Sequence, residues 1–191
     1  LFDSKYSTEY DFTTLKSALD NNELTISEVN NSGSVPELKC ISNTEKLILV
    51  LAGEEIVGAK QNRITNISFI VPPFKEIKIP VSCVEQGRWS YKSRTFSKGF
   101  NAYPDLKRKL YEDVGENSHR GRGFRSNQSR VWDDIQQKQQ SFNKFSSTGA
   151  MNEMYEKSNA VDRFLNNNTD INSCAMVTYI NGSIASFESG P

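Results

Sequence analysis

Two short segments hold most of the side chains that could do chemistry. The first, GEEIVGAKQNR, runs from Gly53 to Arg63 and directly follows the apolar run LILVLA. Beside a core, each polar group needs a partner, and charges of both signs around a cavity can bind a polar ligand or move protons. The segment offers two carboxylates as acid–base candidates and four ligand-binding candidates: Glu54 and Glu55, then Lys60, Gln61, Asn62 and Arg63.

The second segment is SCVEQGRW, Ser82–Trp89. Here Glu85 is a third acid–base candidate, Arg88 is suited to a phosphate, and Trp89 offers a flat ring for stacking. A structural Glu85–Arg88 ion pair beside a core tryptophan explains the same residues equally well. Both interpretations stay open from the sequence.

Familiar catalytic and cofactor signatures are absent. There is no P-loop, no GxGxxG after a strand, no HExxH and no GxSxG. The single histidine, His119, excludes a histidine-rich metal site. The sequence therefore predicts no metal site and no cofactor, although a divalent cation held by carboxylates stays open. The three cysteines, Cys40, Cys83 and Cys174, form no CxxC pair and are expected to be buried thiols.

Composition gives no global electrostatic partner. The 191 residues include 23 Lys or Arg and 23 Asp or Glu, so nucleic acid is not an expected partner. No apolar run is long enough to cross a bilayer, and no signal-peptide pattern begins the chain, so we expect a cytoplasmic protein without a membrane partner. Charge is uneven, however: residues 88–130 contain eleven basic and four acidic residues, a local surface that would attract phosphate.

The elements that must position these groups change along the chain. Short β-favouring runs separated by turn residues predict an antiparallel sandwich or small barrel over residues of about 22–90, after a short helix at Thr13–Asn21. Helical spacing then predicts helices at Tyr103–Val114, Ser129–Phe145 and Ala150–Leu165, within residues 103–166. Asn-Gly near the C-terminus predicts a β-hairpin over residues 174–187. We expect one α+β domain, residues 1–191, with two to three helices in its C-terminal half.

These residues also resemble a known family. The set SVPEL…LAGEEIVGAKQNR…IPVSCVEQGRW…VWDDI is similar to the ADP-ribosylglycohydrolase and rhodanese-phosphatase-superfamily-associated protein domain of bacteria and archaea. Beyond the two segments above, Gln128 and Trp132 match its pattern, which makes Gln128 a further ligand-binding candidate. The family's motifs come without an assigned mechanism. Its genomic association implies a role around NAD-derived or phosphorylated small molecules.

Two functional hypotheses follow. In the first, the chain binds or processes a phosphate-bearing or ADP-ribose-like molecule, with cations on phosphate, amides on the ligand and Trp89 stacked upon it. In the second, it is a non-enzymatic interaction module that pairs with an enzyme or forms a homo-oligomer, using the NKFSSTGAM segment and the helices as a contact face. Whether a bond is broken stays open.

Overall fold

The computed structural model describes residues 2–3, 10–155 and 173–189 of the chain. They belong to two compact units, Phe12–Tyr155 and a smaller one drawn from the two ends of the chain. The predicted α+β class is confirmed. The single-domain organisation stays a prediction. The strands are β1 Phe2–Asp3, β2 Phe12–Thr14, β3 Leu24–Glu28, β4 Glu37–Ser42, β5 Leu47–Val50, β6 Glu54–Gly58, β7 Arg63–Thr65, β8 Phe69–Val71, β9 Glu76–Cys83, β10 Phe96–Asn101, β11 Ser173–Ile180 and β12 Ser183–Ser189.

A six-stranded antiparallel sheet dominates the larger unit. Its order is β10-β6-β7-β9-β4-β3. Alternation explains the strands: in β3, Leu24, Ile26 and Glu28 are buried while the residues between them are half-buried. The sheet curls until β3 and β10, at its two ends, come into contact. The expected barrel-like core is therefore a half-barrel.

One face of this sheet carries the main apolar core. Ile26, Leu38, Ile56 and Val81 are buried there. A second sheet, β2-β5-β8, and the helix α1 (Leu15–Asp20) contribute to the same core. The helix α1 lies within the predicted Thr13–Asn21 segment and begins after Thr14, whose Oγ1 accepts a hydrogen bond from the Ser17 N–H.

Two longer helices, α2 (Pro104–His119) and α3 (Gln128–Ser141), contribute a second core, which contains Ile64 and Val84 of the sheet region. Proline at the first position starts α2, which runs five residues beyond its predicted end. The Asn127 side chain caps α3, which ends four residues before its predicted end. The predicted third helix begins as a 3₁₀ turn over Met151–Met154, and its part from residue 156 onwards lies outside the described residues.

The smaller unit contains the predicted terminal hairpin. Strands β11 and β12 pair antiparallel, and β1 pairs with β11. Asn181 and Gly182 both have positive φ, 51° and 81°, as a type I′ turn requires. The hairpin is confirmed. Within the described part of the chain, no helix combines the length and apolar character needed to cross a membrane.

Candidate functional site

The two polar segments meet. Strand β7 pairs with β9, which brings the residues before β7 beside those after β9. The Asn62 backbone N–H donates to Glu85 Oε2 at 3.0 Å, and the Gln61 side-chain amide donates to the Glu85 carbonyl at 3.0 Å. Asn62 also accepts from Arg88 Nη2 at 3.2 Å. The structure thus assembles one polar region from both segments.

Glu85 and Arg88 satisfy each other within this region. Arg88 Nε and Nη2 donate to the two Glu85 oxygens at 2.8 and 2.6 Å, and Thr148 Oγ1 adds a bond of 3.0 Å. Burial raises the pKa of Glu85, but these bonds and the Asn62 N–H outweigh it and hold the pKa below its usual value. Arg88 Nη1 donates to the Ala59 and Ser90 carbonyls at 2.6 and 2.8 Å. The pair leaves no open edge for a ligand.

The other two carboxylates, Glu54 and Glu55, each accept a backbone hydrogen bond. Glu54 Oε2 accepts from the Leu51 N–H at 2.8 Å, and its Oε1 lies 3.8 Å from Lys98 Nζ. Glu55 is fully buried, and its Oε2 accepts from the Phe100 N–H at 3.0 Å, while its Oε1 has no hydrogen-bond partner among the described residues. Burial raises the pKa of Glu55 to about 7. In the strand register Ile56 is the partner of Arg63, so Glu55 projects from the face opposite Arg63.

Arg63 is the unusual group. Its side chain has 0% exposure, yet among the described residues only one of its three nitrogens has a partner: Nη1 donates to Gln61 Oε1 at 2.9 Å and to the Asn62 carbonyl at 3.5 Å. Its Nε and Nη2 have no hydrogen-bond partner among the described residues. Burial lowers the pKa of Arg63, but a guanidinium stays protonated in proteins. Two nitrogens of a buried cation, with three N–H groups between them, are therefore unused within the described part of the chain.

The guanidinium lies over an aromatic ring that it shares with a second cation. Arg63 Cζ lies 5.7 Å from the ring centroid of Trp89, whose side chain is 48% exposed. Lys60 Nζ lies 5.3 Å from the Trp89 centroid and 5.2 Å from that of Tyr91, and it donates to the Ser32 carbonyl at 2.9 Å. Both cations, Lys60 and Arg63, thus lie over the ring of Trp89.

Glu28 is a site residue that the sequence reasoning missed. One oxygen accepts from the Lys60 backbone N–H at 3.4 Å, and the other is buried without a partner among the described residues. The Glu28 charge is close enough to raise the pKa of Arg63 against the larger effect of burial. A signal existed: Glu28 continues the inward alternation of Leu24 and Ile26, so a carboxylate occupies a core position of β3. Glu28, Lys60, Arg63 and Trp89 are termed the Arg63 site below.

Gln128, the first residue of α3, clamps the end of β9. Its side-chain amide accepts from the Cys83 backbone N–H and donates to the Cys83 carbonyl, both at 2.8 Å. The Cys83 thiol donates to Gln61 Oε1 at 3.2 Å; burial raises its pKa, and Arg63 partly offsets the rise. Cys40 and Cys83 are free and buried as predicted, whereas the side chain of Cys174 lies outside the described residues. Gln128 therefore supports the wall of the site rather than contacting its open donors.

The described residues do not form a metal site. Residues 10–155, together with the described residues of the small unit, contain no cluster of three or more His, Cys, Asp or Glu side chains with the arrangement of a metal site. The arrangement offers a cationic fork, a carboxylate oxygen and an indole face instead.

Comparison with known protein families finds a match. A family model, the ARG and Rhodanese-Phosphatase-superfamily-associated Protein domain (ARPP-1), matches residues 1–189. The chain belongs to this family. The resemblance drawn from the two polar segments is confirmed, and the ARPP-1 domain is by its name associated with two enzyme superfamilies. Neither the curated proteins nor the solved structures contain a match.

Proposed function

We propose that this ARPP-1 domain binds a phosphate-bearing small molecule of the ADP-ribose or NAD-derived class at the Arg63 site. One observation carries the proposal: Arg63 is fully buried while its Nε and Nη2 donors are unpartnered among the described residues. Buried polar groups are nearly always hydrogen-bonded, and an exception calls for a water, an ion or a ligand. An anion is the group that a buried guanidinium most needs.

The geometry of the free donors favours phosphate. Nε and Nη2 lie along the same edge of the guanidinium, so their N–H bonds run parallel. That edge forms two parallel hydrogen bonds with a phosphate or a carboxylate. Gln61 fixes the opposite nitrogen, Nη1, and so holds the fork in orientation.

Trp89 supports the nucleotide part of the proposal. Its ring lies against Arg63 and is half-exposed, so it can move off the fork as the phosphate enters and then stack on a base. The family name adds support by association, since it links the domain to ARG and to the rhodanese-phosphatase superfamily. Glu54 and Glu85 are held by hydrogen bonds, and Glu55 projects from the sheet face opposite Arg63, so we propose binding and assign no bond-breaking step.

Calorimetric titration tests the proposal. ADP-ribose, NAD, AMP and inorganic phosphate are titrated into the wild-type chain and into Arg63→Lys, which keeps the charge but loses the fork. We expect at least one phosphate ligand to bind, with an affinity about tenfold lower in Arg63→Lys, equivalent to ~1.4 kcal/mol. Arg122→Gln, an exposed cation, is the matched control and should bind like wild type. The proposal is contradicted if none of the four ligands binds the folded protein, or if Arg63→Lys binds with the same affinity as wild type.

A second candidate function, a self-associating interaction module, is favoured by a separate surface. Phe145, in the segment expected to form a contact face, is 86% exposed and borders a cleft of about 230 Å³ between α3 and residues 144–149. Light scattering after size exclusion tests it. A dimer that Phe145→Ser converts to monomer supports this function, and a wild-type monomer at high concentration opposes it.

A further inference from the structure

We propose that Glu28 is the second recognition group of the Arg63 site, and that the ligand is a phosphorylated sugar whose hydroxyl donates to Glu28 while its phosphate occupies the Arg63 fork. This inference rests on the proposed function and narrows it. The observation is a pair: a buried cation and a buried carboxylate both lie beside Trp89, and each keeps an unused edge among the described residues.

The unused edges have complementary chemistry. The free Arg63 edge offers two donors, so it needs an acceptor such as a phosphate oxygen. The free Glu28 oxygen is an acceptor, so it needs an O–H or N–H donor. Arg63 and Glu28 form no hydrogen bond with each other. A single molecule carrying both an anion and a donor would satisfy both groups at once.

Glycine packing shows that the Glu28 oxygen belongs to the same site. Gly33 has φ +78°, and a Cβ placed on it would lie 3.4 Å from Glu28 Oε2, 3.3 Å from Lys60 Cδ and 3.2 Å from Trp89 Cζ2. One point beside the Gly33 backbone is thus within contact distance of three members of the Arg63 site. The free carboxylate oxygen lies at the tryptophan wall and not on a separate surface.

The charges favour a hydroxyl over an ammonium as the donor. Lys60 and Arg63 contribute two positive charges and Glu28 one negative charge. This net charge of about +1 attracts a phosphate, whereas an ammonium on the free Glu28 oxygen would lie beside the side chain of Lys60 and be repelled by its charge. A neutral hydroxyl donor avoids that repulsion. Sugar phosphates combine these two groups, and ribosyl phosphates do so within the ADP-ribose class.

The test compares three small probes: ribose 5-phosphate, ethyl phosphate, which lacks the hydroxyls, and phosphoethanolamine, which replaces them with an ammonium. Each is titrated into wild type, Glu28→Gln, and Glu37→Gln as a matched loss of one carboxylate on the exposed end of β4. Thermal unfolding of each variant confirms that the isosteric changes leave the fold intact.

The expected result has opposite signs for two probes. Glu28→Gln should lower the affinity for ribose 5-phosphate about tenfold (~1.4 kcal/mol), since it removes a charged acceptor. The same change should raise the affinity for ethyl phosphate, because it removes a negative charge near the phosphate. Glu37→Gln should change neither. Loss of packing alone would lower the affinity for both probes, so the opposite signs distinguish ligand recognition from structural damage.

Two outcomes overturn the inference while leaving the proposed function standing. The first is equal binding of ribose 5-phosphate and ethyl phosphate, with Glu28→Gln changing both affinities alike. The second is tighter binding of phosphoethanolamine than of ribose 5-phosphate. Absence of binding by all three probes, and by ADP-ribose, instead contradicts the proposed function itself.

Discussion

Replacing Glu85 by glutamine should destabilise the fold without removing ligand binding. The Glu85 carboxylate accepts four hydrogen bonds, and its side chain and that of Arg88 are 7% and 12% exposed. Removing one partner of a buried pair costs roughly 3–5 kcal/mol. Arg88 would keep its bonds to the Ala59 and Ser90 carbonyls, so we expect the lower end, about 3 kcal/mol.

Thermal and chemical denaturation measure this cost. For a chain of this size ~1 kcal/mol shifts the midpoint by roughly 2–4 °C, so Glu85→Gln should unfold about 6–12 °C below wild type. Glu112→Gln is the control: Glu112 pairs with Arg108 and Arg130 at the surface and should shift the midpoint by no more than about 2 °C. Below the transition, ligand affinity of Glu85→Gln should match wild type. A midpoint equal to that of Glu112→Gln, or an intact fold that no longer binds ligand, would refute the assignment of Glu85 to structure.

Three further predictions concern the opposite sheet face and the tryptophan wall. Gly99→Ala should lower the midpoint, because its Cβ would lie 2.6 Å from Glu55 Oε2; a midpoint unchanged in thermal unfolding would count against the packing described. Burial raises the pKa of Glu55 from 4.5 to about 7. The folded state therefore favours the protonated carboxyl, and the contribution of Glu55 to stability is greatest below about pH 4.5. It falls by on the order of 3 kcal/mol as the pH rises to about 7. Glu55→Gln should therefore gain stability relative to wild type between about pH 5 and pH 8, and a constant difference in unfolding midpoints across that range would contradict this. Finally, ligand entry must displace the Trp89 indole that lies over Arg63, so binding should change intrinsic fluorescence in wild type and in Trp132→Phe but not in Trp89→Phe; a signal that follows Trp132 instead would argue against the site.

Much of the fold could be predicted from local pattern. Alternation in β9 and Asn-Gly at residues 181–182 depend on neighbours a few positions apart, so both elements were recovered. Helix ends were less accessible. The segment after Ser141 keeps apolar residues at helical spacing, but Phe142 and Phe145 are exposed. Spacing alone could not show whether these side chains pack against a core.

The site could be predicted only in part, because its pairing is long-range. The sequence identified Arg63 and Glu85 as polar groups near a core, but it could not show that Glu85 is closed by Arg88 while Arg63 stays open. Glu28 lies 35 positions before Arg63, and only the curl of the sheet brings them together. Its one local signal, a carboxylate at an inward position of β3, is visible once the strand register is known.

A crystal structure of the complex with ADP-ribose tests the central claim most directly. The account predicts a phosphate whose oxygens accept from both Nε and Nη2 of Arg63 at hydrogen-bond distances of about 2.7–2.9 Å, with the Trp89 ring moved to admit it. Ordered waters on both donors, with the ligand bound elsewhere on the chain, would contradict it.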